Sequence, residues 1–166
     1  LWERRVEETY QSAQILGAAR VEFLGYRDSG MIGEPTNDDE RCFWQADIDD
    51  AAYRLAAVLS GAQAELLVIY DDHGGYGHPD HIQVHRVGLR AAEIAGTPHL
   101  FEMTMNRDRI REQMASRELP SDETGADAIP ERDLAAFGSP EALITHAVDV
   151  AAYLPTKRTA LLAHAS

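Results

Sequence analysis

The feature that most constrains the fold is a junction. "ELLVIY", Glu65 to Tyr70, is an unbroken apolar run that passes through "DDHGGYGHPDH" straight into a helical pattern. A short continuous apolar run bounded by turn residues fits a strand buried on both faces. From Pro79 to Ala95 the apolar positions Val84, Val87, Ala91, Ile94 and Ala95 recur at helical spacing, and Gly96 with Pro98 marks the stop. Between the two, Gly74, Gly75 and Gly77 let the backbone turn sharply, and Pro79 suits a first helical position, where its missing N–H costs nothing. "HLFEMTM", His99 to Met105, supplies the next strand candidate, so the junction predicts one strand–helix–strand unit of a parallel sheet.

The rest of the chain repeats the alternation. "VEFLGY", Val21 to Tyr26, reads as a short buried strand, followed by the long polar loop "RDSGMIGEPTNDDE". Asp47 is placed to cap a helix built on Ile48, Ala51, Ala52, Leu55, Val58 and Leu59, with Gly61 to end it. A short helix is predicted from Arg107 to Met114, a polar excursion from Ser116 to Ala142, a last strand at "LITHAVDV" (Leu143 to Val150), and a helix from Ala151 to Ala165. At the other end Trp2, Val6, Tyr10, Ala13 and Gly17 keep helical spacing with no capping residue ahead of them, so the chain is expected to begin inside a helix. The predicted fold is α/β and Rossmann-like: a mostly parallel sheet with helices on both faces, its first strand upstream of Leu1. Residues 1–166 are read as one domain, incomplete at its N-terminus, and 45% hydrophobic content is enough for its core.

Charge narrows the partners. Fifteen basic against twenty-eight acidic residues give a net charge of −13, which repels phosphate backbones and anionic lipid, so nucleic acid is not expected. No apolar stretch is long enough to span a bilayer or act as a signal segment, and the lone Cys42 forms no internal disulfide; a cytoplasmic protein is expected, with Cys42 a small buried hydrophobe.

The stretch from Tyr70 to His85 holds four of the seven histidines together with three aspartates and three glycines. In parallel α/β sheets ligands gather beyond the carboxyl ends of the strands, which brings Arg27 and Asp28, in the loop after Tyr26, toward this cluster. Turn and capping chemistry accounts for the glycines, for Pro79 and for Asp80 near a helix N-terminus. It leaves His78, His81 and His85 unexplained. Imidazole is the commonest protein metal ligand, and a hydrolytic zinc centre uses three protein ligands and one open position, so this segment can supply only part of such a centre. His85, one turn after His81, is read as a helix histidine bonded to backbone, and Asp71 and Asp72 as residues that either shape the turn or orient a ligand.

"GGYGHPDH" at Gly74 to His81 closely resembles a signature of the LmbE-like, or PIG-L, zinc-dependent N-deacetylases. "FLGYRDSGM" at Phe23 to Met31 is similar to a loop of the same family, and "YLPTKRTALLAHAS" at Tyr153 to Ser166 to its C-terminal helix. The resemblance implies that His81 ligates zinc. It implies that His78 lies beside the substrate carbonyl as proton donor or electrostatic stabiliser, that Asp80 hydrogen-bonds and tunes His78, and that Tyr76 is a second donor to that oxygen. Arg27 and Asp28 would hold a sugar or other polar substrate. The family's other signature, an Ala-His-Pro-Asp-Asp run that supplies two further ligands and the general base, does not occur in residues 1–166 and is expected upstream.

The function implied is hydrolytic removal of an acetyl group from an N-acetylglucosamine-like substrate by metal-activated water. Its partner would be a small amino sugar or sugar conjugate, and a homo-oligomer is also compatible. The alternatives are an amidase of the mycothiol-conjugate type and a non-catalytic sugar-binding domain of the same fold. A nucleotide-binding domain ranks last, because no Gly-x-Gly-x-x-Gly follows either early strand and "GGYGHPDH" lacks the lysine of a phosphate loop.

Overall fold

A computed structural model of the chain describes residues 2–116 and 137–165. The described elements are α1 (Trp2–Leu16), α2 (Ile48–Gly61), β1 (Leu66–Tyr70), α3 (Pro79–Ala95), β2 (His99–Met103), α4 (Arg107–Ser116) and α5 (Leu154–Leu162). They fall into two compact units, Leu1–Phe23 with His146–Ser166, and Leu24–Thr145.

In the larger unit β1 and β2 pair in parallel, in register from Leu66 opposite His99 to Tyr70 opposite Met103, and α3 connects them. This is the predicted strand–helix–strand unit and gives the α/β, Rossmann-like class. Helix α3 begins and ends where the sequence places it, with Gly96 in the left-handed conformation at its end (φ 67°). Its Val87 and Ala91 pack against Ala51, Ala52, Ala56 and Leu59 of α2 in the main apolar cluster. Small side chains on both helices permit that close approach. On its other side α3 meets β1 through Gly88, where a Cβ would lie 2.5 Å from Ile69 Cγ2. Cys42 is fully buried, as expected.

β1 differs from the prediction of a strand buried on both faces. Ile69 is 4% exposed on the α3 side, whereas Leu66 and Val68 on the opposite face are 51% and 55% exposed.

Two predicted strands do not form. Val21–Tyr26 has no ladder partner among the described residues; the β contact falls one residue later, where Arg27 N–H donates to Arg41 O and Phe43 N–H to Arg27 O, both at 3.0 Å. An apolar run becomes a strand only where a neighbour takes up its backbone groups. Leu143–Val150 begins in a 3-10 turn, Glu141–Leu143, and continues without regular structure, Val148 being 81% exposed. At α2, Asp47 caps as predicted by accepting from Asp50 N–H at 3.0 Å and the helix ends at Gly61 as expected, with Gln63 (φ 50°) the left-handed residue beyond it. The excursion expected between 116 and 142 lies mainly in 117–136, outside the described residues.

In the smaller unit α1 runs through the predicted positions and packs with α5. Phe23 meets Trp2 and Tyr10 edge-on at 6.2 and 6.0 Å, and the buried Glu8 accepts from Arg4 Nε at 3.0 Å and Ala165 N–H at 3.3 Å. The last helix starts later than predicted, after a 3-10 turn at Ala151–Tyr153. Pro155 sets that boundary: its ring fits a first turn and would collide with an α-helical carbonyl at Ala151.

Candidate functional site

The site begins where β1 ends. Asp71 extends the ladder by one bond, N–H to Met103 O at 3.2 Å, and its carbonyl accepts from Gly74 N–H at 2.9 Å. Its carboxylate is buried, accepting from Gly75 N–H at 2.8 Å and from the Thr104 hydroxyl at 2.6 Å. These bonds fold the chain back into a turn, Gly74–Gly77, with Gly74 at φ 62° and Gly75 at φ 76°. Side chains rarely adopt that backbone region. Gly74 is required twice over, since a Cβ there would stand 2.7 Å from the backbone nitrogen of Ile82.

The turn delivers His78 to the N-cap of α3 and His81 to its first turn. The His81 ring stacks on Tyr70 with centroids 4.0 Å apart and planes 4° from parallel, and its Nδ1 lies 3.1 Å from Gly74 O. A carbonyl only accepts, so Nδ1 carries the proton and the neutral ring leaves a lone pair on Nε2. Among the described residues Nε2 makes no hydrogen bond. An imidazole anchored through one nitrogen and open at the other is the form in which histidine binds a metal, so the donor chemistry of His81 fits zinc. Burial raises the pKa of the Tyr70 hydroxyl, and nearby Tyr76 adds to the effect.

His78 packs beside His81, centroids 4.8 Å apart. Its Nδ1 accepts the backbone N–H of Asp80 at 3.2 Å, so the neutral ring carries its proton on Nε2. The sequence reading pairs the Asp80 carboxylate with His78; the bond found uses the Asp80 backbone instead. The carboxylate accepts from Ser29, from its N–H at 3.0 Å and from its hydroxyl. The groups remain close, for one donor atom each of Asp28, His78 and Asp80 lies within 4.8 Å of the others. Tyr76 stands edge-on to both histidines, 5.2 Å from His81 and 6.2 Å from His78, and is 43% exposed.

Asp28 and Arg27 separate in their contacts. Asp28 accepts from Gly30 N–H at 2.8 Å beside His78, whereas the Arg27 guanidinium reaches Asp39, at 3.4 Å. Hydrogen bonding by the Arg41 guanidinium is the main reason that the Asp39 carboxyl is lowered to about 2. His85 bonds the Tyr70 carbonyl at 3.2 Å, as expected of a helix histidine tied to backbone. Asp71, Asp72 and His73 also bring donor atoms within 4.8 Å of one another, and both oxygens of Asp71 are engaged, by Gly75 N–H and the Thr104 hydroxyl.

Sequence reasoning missed Ser29 and Asn37. Ser29 is fully buried; besides Asp80 it serves Trp44 N–H at 3.0 Å, and its carbonyl accepts from Thr36 at 2.7 Å and Asn37 at 2.6 Å. The one signal was their position in a long loop, since partners 51 positions apart leave no local pattern.

Residues 1–92, which include the glycine turn, the histidines and the Ser29 loop, match the family model described as GlcNAc-PI de-N-acetylase, PIG-L. Among curated proteins the chain is similar to 1D-myo-inositol 2-acetamido-2-deoxy-alpha-D-glucopyranoside deacetylases. That of Thermobifida fusca is 42% identical over 100% of this chain and 62% of the relative, and that of Nocardiopsis dassonvillei 42% over 100% and 63%. One from Catenulispora acidiphila is 38% identical over 99% of this chain and 56% of the relative. The chain thus spans less than two thirds of the length of these relatives. With the match extending over more than half of its residues, the chain belongs to the GlcNAc-PI de-N-acetylase (PIG-L) family.

Proposed function

We propose that the protein bearing this chain is a zinc-dependent N-deacetylase that removes the acetyl group from an N-acetylglucosamine joined to inositol, acting in the cytoplasm. The observation that carries this is His81: its Nδ1 is anchored on Gly74 O and its Nε2 is open, just past the carboxyl end of β1 and beside His78, whose own neighbours are Asp28 and Asp80. The names of the relatives supply the substrate class, and the family supplies the reaction. No helix of the described residues is long and apolar enough to cross a membrane.

Zinc, when bound, supplies Lewis-acid polarisation of the amide and activation of water near neutral pH. His81 would give one ligand through Nε2; the His-Pro-Asp-Asp run that would complete the set and provide the base is not within residues 1–166. His78 donates from Nε2–H to the amide oxygen as that oxygen gains charge, because the Asp80 N–H on its Nδ1 fixes the tautomer. Tyr76, edge-on to His78, offers its hydroxyl as a second donor from the solvent side. Asp28 accepts from sugar hydroxyls at the rim, and Arg27 binds polar groups once it leaves Asp39. Asp80 holds the Ser29 loop against the start of α3, which keeps Asp28 beside His78.

The test uses the full-length protein with 2-acetamido-2-deoxy-glucopyranosyl-inositol as substrate, following acetate and free amine. Chelation should abolish release and zinc restore it, and His81→Ala should remove both activity and zinc binding. Undiminished release by His81→Ala overturns the assignment.

A further inference from the structure

We infer that Asp71 is a positioning residue for His81, acting through a single peptide group: its carboxylate holds the Gly74–Gly75 peptide, and that peptide holds the imidazole. The inference rests on the proposal that His81 is a metal ligand. Asp71 Oδ1 accepts from Gly75 N–H at 2.8 Å. The Gly75 N–H and the Gly74 C=O belong to one planar trans unit and point in opposite directions. On the far side, that same C=O accepts from His81 Nδ1–H at 3.1 Å. Carboxylate, peptide and imidazole therefore form one chain of hydrogen bonds. Negative charge on the N–H side polarises the amide and strengthens its oxygen as an acceptor. A stronger acceptor at Nδ1–H makes Nε2 the better ligand. Metal-binding histidines commonly meet a carboxylate directly; here a peptide lies between the two.

Three observations separate this from an ordinary turn. Asp71 is 2% exposed, a costly place for a carboxylate that only shapes a loop. Its second oxygen is held by Thr104, just beyond β2, whose hydroxyl lies 3.1 Å from that of Ser139, so the carboxylate is fixed from outside the turn. The next peptide is also clamped, Gly75 O accepting from Gly138 N–H at 3.2 Å, while Arg107 binds the carbonyls of Phe137 and Gly138 at 2.8 and 2.6 Å. The Gly74–Gly75 plane is thus held along both of its edges.

Asp71→Asn isolates the charge, because the amide oxygen can still accept from Gly75 N–H and the Thr104 hydroxyl can reverse to accept from the amide nitrogen. In the full-length protein, zinc affinity is read by competition with a chelating dye for wild type, Asp71→Asn and His81→Ala. The His81 Nδ1–H proton resonance is read in the metal-free protein. Asp71→Asn should weaken zinc binding about 10- to 100-fold and move the resonance upfield, with the melting temperature of the metal-free protein nearly unchanged. Wild-type affinity and an unmoved resonance in Asp71→Asn, alongside weakened zinc binding by His81→Ala, overturn the relay and leave the ligand assignment standing. Wild-type zinc binding by His81→Ala overturns the ligand assignment itself, and the relay to a metal with it. Should Asp71→Asn fail to fold, Gly75→Ala, which keeps the carboxylate and tilts the peptide, is expected to give the same loss of affinity, and wild-type affinity there overturns the relay.

Discussion

The two loops that meet at the histidines are built in opposite ways. From Asp71 to His81 the decisive bonds are local, spanning four positions from Asp71 to Gly75 and seven from Gly74 to His81, and the backbone turns through left-handed glycines. The loop from Arg27 to Gln45 is organised around one buried serine whose partner, Asp80, is 51 positions away. The first loop carries its shape in its own sequence. The second acquires its working shape only when α3 is in place.

The sharpest test of this contrast is Gly74→Ala. The added carbon would meet Ile82 N at 2.7 Å with φ at +62°, and backbone cannot swing aside as a side chain can. We expect a loss of about 3 kcal/mol from overpacking and strain together, with activity of the full-length protein down about a hundredfold, measured by denaturant unfolding and acetate release. Near-wild-type behaviour would mean that the turn is looser than its glycines imply.

Gly75→Ala should be milder than Gly74→Ala for stability. Its nearest contact is Tyr70 Cδ1 at 4.0 Å, so only the backbone opposes it: φ 76° with ψ −61° is a γ-turn conformation strained for any side chain, at about 2 kcal/mol. Parity of the two alanine variants in unfolding would show that strain, rather than collision, governs the turn.

Ser29→Ala comes next and attacks the other loop. It removes the hydroxyl on Asp80 and leaves the half-buried Trp44 N–H without its partner, at a cost of about 1 kcal/mol. Because the loop positions Asp28, KM should rise more than kcat falls, and Ser29→Thr should restore part of the loss. Equal changes in both constants would deny the loop a role in holding substrate.

The smallest expected effect lies at the loop rim. The Asp39 carboxyl is lowered from 3.8 to about 2, chiefly by Arg41, so any stability it lends is present above 3.8 and is lost as pH falls through about 2. Arg41→Gln should return the Asp39 titration midpoint toward 3.8, followed by carboxyl-carbon NMR. A midpoint still near 2 would assign the effect to the backbone N–H of residue 41, which the substitution keeps, rather than to the guanidinium.

The same contrast explains which elements could be foreseen. Helix α3, its Pro79 start and Gly96 stop, and the Asp47 cap all follow from spacing and end chemistry within a few residues, and the β1–β2 pairing follows from the helix that joins two apolar runs. Val21–Tyr26 and Leu143–Val150 have the same apolar signature as β1 and are not strands, because strand formation depends on a neighbour that the local sequence does not name. His78 was legible as a site residue, but its tautomer was not. That depended on Asp80 turning its carboxylate to Ser29 and its backbone N–H to the ring.

By itself the sequence determined the α/β class, the glycine turn, and the placing of His78 and His81 at the start of one helix. Those depend on φ freedom, capping and periodicity, which act over a turn or two of chain. Tertiary structure alone decided that the Asp80 carboxylate serves Ser29, that the second oxygen of Asp71 serves Thr104, and that Ser29 joins the two loops. A hydrogen bond is specified by distance and direction in space, and residues 33 or 51 positions apart acquire those only when the chain has folded.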